Sequence, residues 1–142
     1  MNKYEMLYED KIKIGGHTLY RIKALKDFGN VKAGDLGGYI ERKENLSQEG
    51  NCWVGDSARV FDNAKVREIS DVLCISPIGS RNDVTTFFKT KDGGICVKCG
   101  CFTGTIDNFL GAVEETHSEN KHAKAYKLAC ELARVQIDLE DV

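Results

Sequence analysis

Three rhythms of apolar and polar residues succeed one another along the chain. Near the start, Lys11-Ile12-Lys13-Ile14 alternates, Gly15-Gly16 interrupts, and His17-Thr18-Leu19-Tyr20-Arg21-Ile22 alternates again. Period two on either side of a glycine pair predicts a β-hairpin, with Leu19, Arg21 and Lys23 on one face and Thr18, Tyr20 and Ile22 on the other. Glycines at 29, 34, 37 and 38 then mark a turn-rich passage in which backbones approach closely. That passage has neither phosphate-binding pattern, GxGxxG or GxxxxGK[ST].

The second rhythm has a period of six. Val54, Val60, Val66 and Val72 recur at that interval, each preceded two positions earlier by a small residue, Cys52, Ala58, Ala64 or Ser70, and Leu46 extends the column backwards. Such a period fits neither a helix nor a hairpin; it is the hexapeptide repeat of a parallel β-helix, with valines pointing inward. Four hexads make little more than one coil, so the stub needs caps or a partner chain to bury its ends.

The third rhythm is mixed. Val84–Thr90 and Ile95–Phe102 flank the turn Lys91-Asp92-Gly93-Gly94, predicting a second hairpin. Thr105 is a suitable N-cap for a helix presenting Ile106, Phe109, Leu110 and Val113, with Asp107 in its first turn. A second helix over about 120–137 carries Ala125, Leu128, Leu132 and Val135 as its apolar stripe. The two helices are expected to cover the hairpin or carry a subunit contact. The expected organisation is a β cap over 1–45, the repeat over 46–73, and a hairpin plus two-helix module over 74–142. The expected fold class is therefore mainly β with C-terminal helices (α+β).

Composition narrows the function. The 142 residues are 42% hydrophobic, enough for a core, and the net charge of −2 argues against general nucleic-acid binding. No apolar run reaches the roughly 20 residues that cross a bilayer, and the charged start lacks a signal-peptide core. A cytoplasmic protein without membrane contact is expected. The six cysteines read as reduced packing residues rather than a disulfide frame. Cys96, Cys99 and Cys101 lie close in sequence, but strand alternation turns Cys96 away from the other two, so no metal or other cofactor is assigned.

One polar stretch stands out as a candidate ligand site: Ser80, Arg81, Asn82, Thr85, Thr86, Phe88 and Lys89. Arg81 offers a planar donor fork suited to phosphate, the short polar side chains add hydrogen bonds, Phe88 offers an aromatic face, and Lys89 adds charge. The competing reading makes Arg81 a partner of Asp83 and the threonines ordinary strand residues. Acyl transfer, which usually employs a histidine base, has no histidine in the repeat; His17, His117 and His122 all lie outside it.

Leu19–Phe28, Val31–Tyr39 and Asn45–Val54 resemble the opening of phage and prophage hexapeptide-repeat proteins. Ile78–Asp83, Thr85–Phe88, Thr90–Gly93, Cys99–Phe102 and Glu115–His117 are similar to the C-terminal module attached to many of them. The resemblance implies a left-handed β-helix, here with far fewer hexads, and a phage setting. With no catalytic set in view, the expected function is non-catalytic counter-defence: sequestration of a nucleotide-derived signalling molecule at a site shared between subunits. The alternatives are an inhibitor that blocks a host defence protein such as a CRISPR nuclease, and a reduced hexapeptide-type acyltransferase. A homo-oligomer is expected, a trimer or else a dimer or hexamer, because an open coil end and bare strand edges favour closure.

Overall fold

The computed structural model describes residues 2–117 and 120–137. The predicted N-terminal hairpin is formed by β1 (Tyr4–Ile14) and β2 (His17–Ala24), turning at Gly15-Gly16. Its strict alternation does not hold, however. Leu19 and Ile22 are both fully buried, three positions apart, because the register slips between Leu7 and Lys11 on one side and between Arg21 and Lys23 on the other. Such slips re-aim the side chains that follow.

Strand β3 (Leu36–Ile40) pairs antiparallel with β2, and β4 (Arg59–Val60) pairs parallel with β3. These four strands form one open sheet in chain order. The second sheet is antiparallel throughout: β5 (Val72–Ile78), β6 (Asp83–Lys89), β7 (Ile95–Cys99) and β8 (Phe102–Thr105). Helices α1 (Ile106–His117) and α2 (Lys121–Gln136) complete the described fold.

The left-handed β-helix stub is a prediction that the structure corrects. Both sheets are open, and neither curls into a triangular coil. Between Leu46 and Asp71 the one strand is Arg59–Val60. The period of six survives in the corners: Gly50, Asp56 and Asp62, six residues apart, all take positive φ (70°, 50° and 58°). Each corner is followed four residues later by a buried valine, Val54, Val60 or Val66. What fails is closure. Within the repeat Leu46 bridges Val66 in parallel, while its other backbone groups pair with β3 and with Thr90 through an antiparallel bridge to Ala64. Too few hexads exist to continue the parallel pairing into a stacked coil, so flanking strands satisfy the remaining groups.

Close approach is purchased with glycine where β3 meets the repeat. The Gly38 amide donates to Val54 O at 2.7 Å and that of Tyr39 to Ala58 O at 2.9 Å. A Cβ on Gly37 would lie 2.6 Å from Val54 O, and one on Gly38 would run into Ala58 O. At the edge of this core, Lys3 is buried yet satisfied: its Nζ donates to Cys52 O at 2.7 Å and lies 4.8 Å from the Phe28 ring centroid.

The second sheet is a partition with both faces covered. Phe88, Val72, Cys74 and Cys96 pack with the repeat valines; Phe87, Leu73, Ile75 and Val97 pack under the helices. Strand alternation produces this division. The predicted run from Ile95 to Phe102 is broken by a tight turn at Gly100 (φ 56°) and the exposed Cys101, which separates β7 from β8.

Helix α1 behaves as its pattern predicts. Ile106, Phe109 and Val113 are buried, and Thr105 Oγ1 accepts from the Asn108 amide at 3.2 Å. The stripe predicted for α2 is corrected: Leu128, Leu132 and Val135 are exposed, and Ala123, Tyr126, Cys130 and Ala133 face the sheet. Both sets repeat at helical spacing. The small set lets the helix lie close to β5, while Tyr126 fills the space against Phe109. Among the described residues, no helix is long and apolar enough to cross a membrane.

Replacing Gly38 with alanine forces apart two backbones that are hydrogen-bonded at van der Waals limit. We expect Gly38→Ala to cost about 2–3 kcal/mol in urea unfolding, whereas Gly16→Ala, with open space around it, should cost far less.

Candidate functional site

The residues assigned to a ligand pocket from sequence do not share one. Ser80, Arg81 and Asn82 are exposed on the turn between β5 and β6, where Asn82 takes φ 51° and its amide donates to Gly79 O at 3.1 Å. Thr85, Thr86 and Phe88 are fully buried in β6, and Lys89 is half-buried at its end. Alternation sends Thr86 and Phe88 to the repeat side and Thr85 to the helix side. The Thr86 hydroxyl accepts from the Arg59 amide at 3.1 Å, and Phe88 stacks obliquely on Phe61. The loop and the strand residues thus lie in three different environments.

A different constellation gathers at the start of β2. The antiparallel register of Tyr20 with Ile40 carries the next residue, Glu41, alongside the hairpin's first positions. Glu41 Oε2 lies 2.9 Å from His17 Nδ1, and Glu41 Oε1 accepts from the Asp62 amide at 2.8 Å. Phe61, itself buried, supports the imidazole with ring centroids 5.0 Å apart. The His17 side chain remains 35% exposed, so it is held and yet reachable.

Behind the pair sits Asn45, fully buried, with all four of its hydrogen-bonding capacities used. Its Oδ1 accepts from the amides of Glu41 (3.1 Å) and Arg42 (2.9 Å); its Nδ2 donates to Asp62 O (3.1 Å) and Ala64 O (3.2 Å). One amide therefore ties the segment bearing Glu41 to the corner bearing Phe61 and Asp62. Arg42 adds a donor to Asp62 O at 3.0 Å and lies 3.8 Å from the Glu41 carboxylate.

The electrostatics of Glu41 follow from these contacts. Partial burial pushes its carboxyl upward, but the hydrogen bonds from His17 and the Asp62 amide, with the nearby positive charges, outweigh burial and hold it below the usual carboxylate range. In the tautomer that carries its proton on Nδ1, that proton points at the Glu41 carboxylate and Nε2 is left as an acceptor, an arrangement that can serve as an oriented base.

The thiols offer less. Burial, with a smaller contribution from Asp56 at Cys74, pushes Cys74 up to about 11; burial does the same to Cys96 and Cys130. Such thiols are poor nucleophiles at neutral pH. Cys96 and Cys99 lie on opposite faces of β7, and among the described residues no group of three or more histidine, cysteine or acidic side chains is placed to hold a metal ion. Arg21 is also committed: it bonds to Asp10 (3.0 Å), Gly37 O (2.8 Å) and the Tyr39 hydroxyl (2.6 Å).

Sequence reasoning passed over His17 because it lies outside the repeat. Glu41 is 24 residues away, and only the strand register joins them.

No protein-family model matches the chain. A stretch of 49 residues, 34% of the chain, is 53% identical to an Escherichia coli (strain K12) protein described as the uncharacterized acetyltransferase YdcK. That stretch covers 15% of the relative, so the chain spans far less than two thirds of the protein it matches. These findings correct three expectations. The phage hexapeptide-repeat assignment loses its left-handed coil to the open sheets and finds no matching family model. The non-catalytic reading, with nucleotide sequestration and counter-defence, gives way because the similar protein is named for group transfer. The expectation that the chain is not an enzyme goes with it.

Two outcomes test this geometry. Asn45→Ala leaves two part-buried amide donors and two carbonyls short of a partner, and we expect it to lower stability by about 2–4 kcal/mol in urea titration. Glu41 has a depressed folded-state pKa, so its stabilising contribution is complete above about pH 4.5 and is lost as the pH falls through the folded value. The stability gap between the native chain and Glu41→Gln should therefore be full above the ordinary carboxylate value and close as the pH falls through the lower folded one. A gap that widens on acidification would contradict the assignment.

Proposed function

We propose that the chain takes part in acyl transfer, with His17 as the general base and Glu41 as the residue that orients it. The carrying observation is the 2.9 Å contact between His17 Nδ1 and a carboxylate that is itself fixed by a backbone amide. The partial likeness to a protein named as an acetyltransferase supports the same chemistry.

In this reading an acceptor hydroxyl or amine approaches Nε2. As its oxygen or nitrogen attacks the acyl carbonyl carbon, the acceptor proton moves to Nε2, and Glu41 stabilises the imidazolium that forms. The new bond joins acceptor and acyl carbon; the bond that breaks joins that carbon to its leaving group, a thiolate in a thioester donor. The leaving group recovers the proton from Nε2. The thiols that burial raises, Cys74, Cys96 and Cys130, are poorly suited to an acyl-cysteine intermediate, and the reading uses direct transfer.

The reading includes assembly with further copies of the chain. His17 sits on an accessible surface, and transfer without hydrolysis requires water to be excluded, which a neighbouring copy can supply. Sedimentation at micromolar concentration should show a species heavier than the monomer.

The decisive assay follows thiol release from acetyl-coenzyme A with a panel of amine and hydroxyl acceptors. His17→Gln should lower kcat/KM by about 10²–10⁴-fold with the fold intact. Glu41→Gln should lower kcat by less and alter its pH profile. Full activity in His17→Gln would remove the proposal.

A further inference from the structure

Helix α2 carries two apolar faces, and the fold covers one of them. Its small residues meet the sheet, while Leu128, Leu132 and Val135 stand 65%, 47% and 80% exposed. Three of the six large hydrophobic side chains exposed among the described residues therefore share about two helical turns. Single exposed apolar side chains are ordinary; a contiguous row of them marks an interaction surface. With the half-buried Ala125 the row steps by three, four and three residues, the spacing at which one helix packs along another.

A groove of about 390 Å³ runs between the two helices, lined by Leu110, Gly111 and Glu114 of α1 and by Lys127, Glu131 and Arg134 of α2. A Cβ on Gly111 would meet nothing within 4 Å, so the groove is open there. Lys127, Glu131 and Arg134 each precede a member of the apolar row by one residue, about 100° around the helix. Ridge and groove thus lie side by side. Such a surface complements itself: a two-fold axis lays the ridge of each copy in the groove of the other and closes the contact.

Charge favours the same pairing with the two α2 helices antiparallel. The exposed cations Lys121, Lys124 and Lys127 lie in the first half of α2. In the second half Arg134 is paired with Asp107 at 2.9 Å, which leaves Glu131 and the negative end of the helix dipole to face those cations. We infer that this face of α2 is an interface with a second copy of the chain, packed antiparallel against it. The second sheet separates α2 from the His17 pair, whose supporting Phe61 belongs to the repeat-side core. The contact is therefore independent of the acyl-transfer chemistry.

Sedimentation equilibrium of the full chain at micromolar concentration tests it, with far-ultraviolet circular dichroism as the check on folding. The native chain should sediment heavier than a monomer. The double replacement Leu128→Gln, Val135→Gln alters exposed positions alone; it should keep the helical spectrum, sediment as a lighter species and weaken association at least about tenfold. Gly111→Leu has room for its side chain and fills the groove, so it should fold as well as the native chain and also weaken association. Leu36→Gln removes an equally exposed hydrophobic side chain from β3 and should assemble as the native chain does. A native chain that sediments as a monomer overturns the interface together with the assembly proposed above. A native assembly whose mass neither the double variant nor Gly111→Leu changes overturns the interface alone. A native monomer that binds vesicles of anionic phospholipid, and loses that binding in the double variant, also overturns it and assigns the ridge to a lipid surface.

Discussion

The buried amide of Asn45 is the interaction on which the candidate active surface depends. A polar side chain removed from water is tolerated only when its donors and acceptors are paired, and this one pairs all four. Its two acceptor bonds hold the backbone of Glu41 and Arg42; its two donor bonds hold Asp62 and Ala64. Glu41 is thereby placed between an imidazole from β2 and an amide from a corner of the repeat. Precision comes from backbone held by a satisfied core group, while the imidazole stays reachable at the surface. Asp71 repeats half of this device: its carboxylate accepts from the Arg67 and Glu68 amides and shapes the turn that leads into β5.

The larger architecture rests on one sheet covered on both sides. Strands β5–β8 separate two apolar clusters, one built on the repeat and one built on the helices. Because residues alternate along each strand, neighbouring side chains such as Phe87 and Phe88 serve different cores. This explains why a polar segment read as one ligand site became three environments. A strand buried on both faces cannot present consecutive residues to one ligand. It also explains the raised thiols, since Cys74 and Cys96 lie on the repeat side of that partition.

Much of the local structure was legible in the residues. The Gly15-Gly16 hairpin, the turn at 91–94, the Thr105 cap and the buried face of α1 all follow from chemistry that acts within a few positions. The period of six was also real, and it marks left-handed corners at Gly50, Asp56 and Asp62 that turn each valine inward. The inference from period to closed coil failed because closure depends on how many rungs exist to satisfy one another. The choice of face on α2 failed for a related reason. Two stripes share the same helical spacing, and hydrophobicity favoured leucines over the alanines that permit close packing against β5.

The residues by themselves therefore determined where the chain turns, where its helices begin, and which valines and aromatics must leave water. These are decided by dihedral preference, capping and transfer free energy, all of which act locally. Only the tertiary structure decided which strands meet. It brought Glu41 to His17, set Ala64 across from Thr90, and gave β6 two interiors instead of one surface. Contacts of that kind depend on register and on competition among distant segments for the same hydrogen-bonding edges, and no single stretch of sequence contains that information.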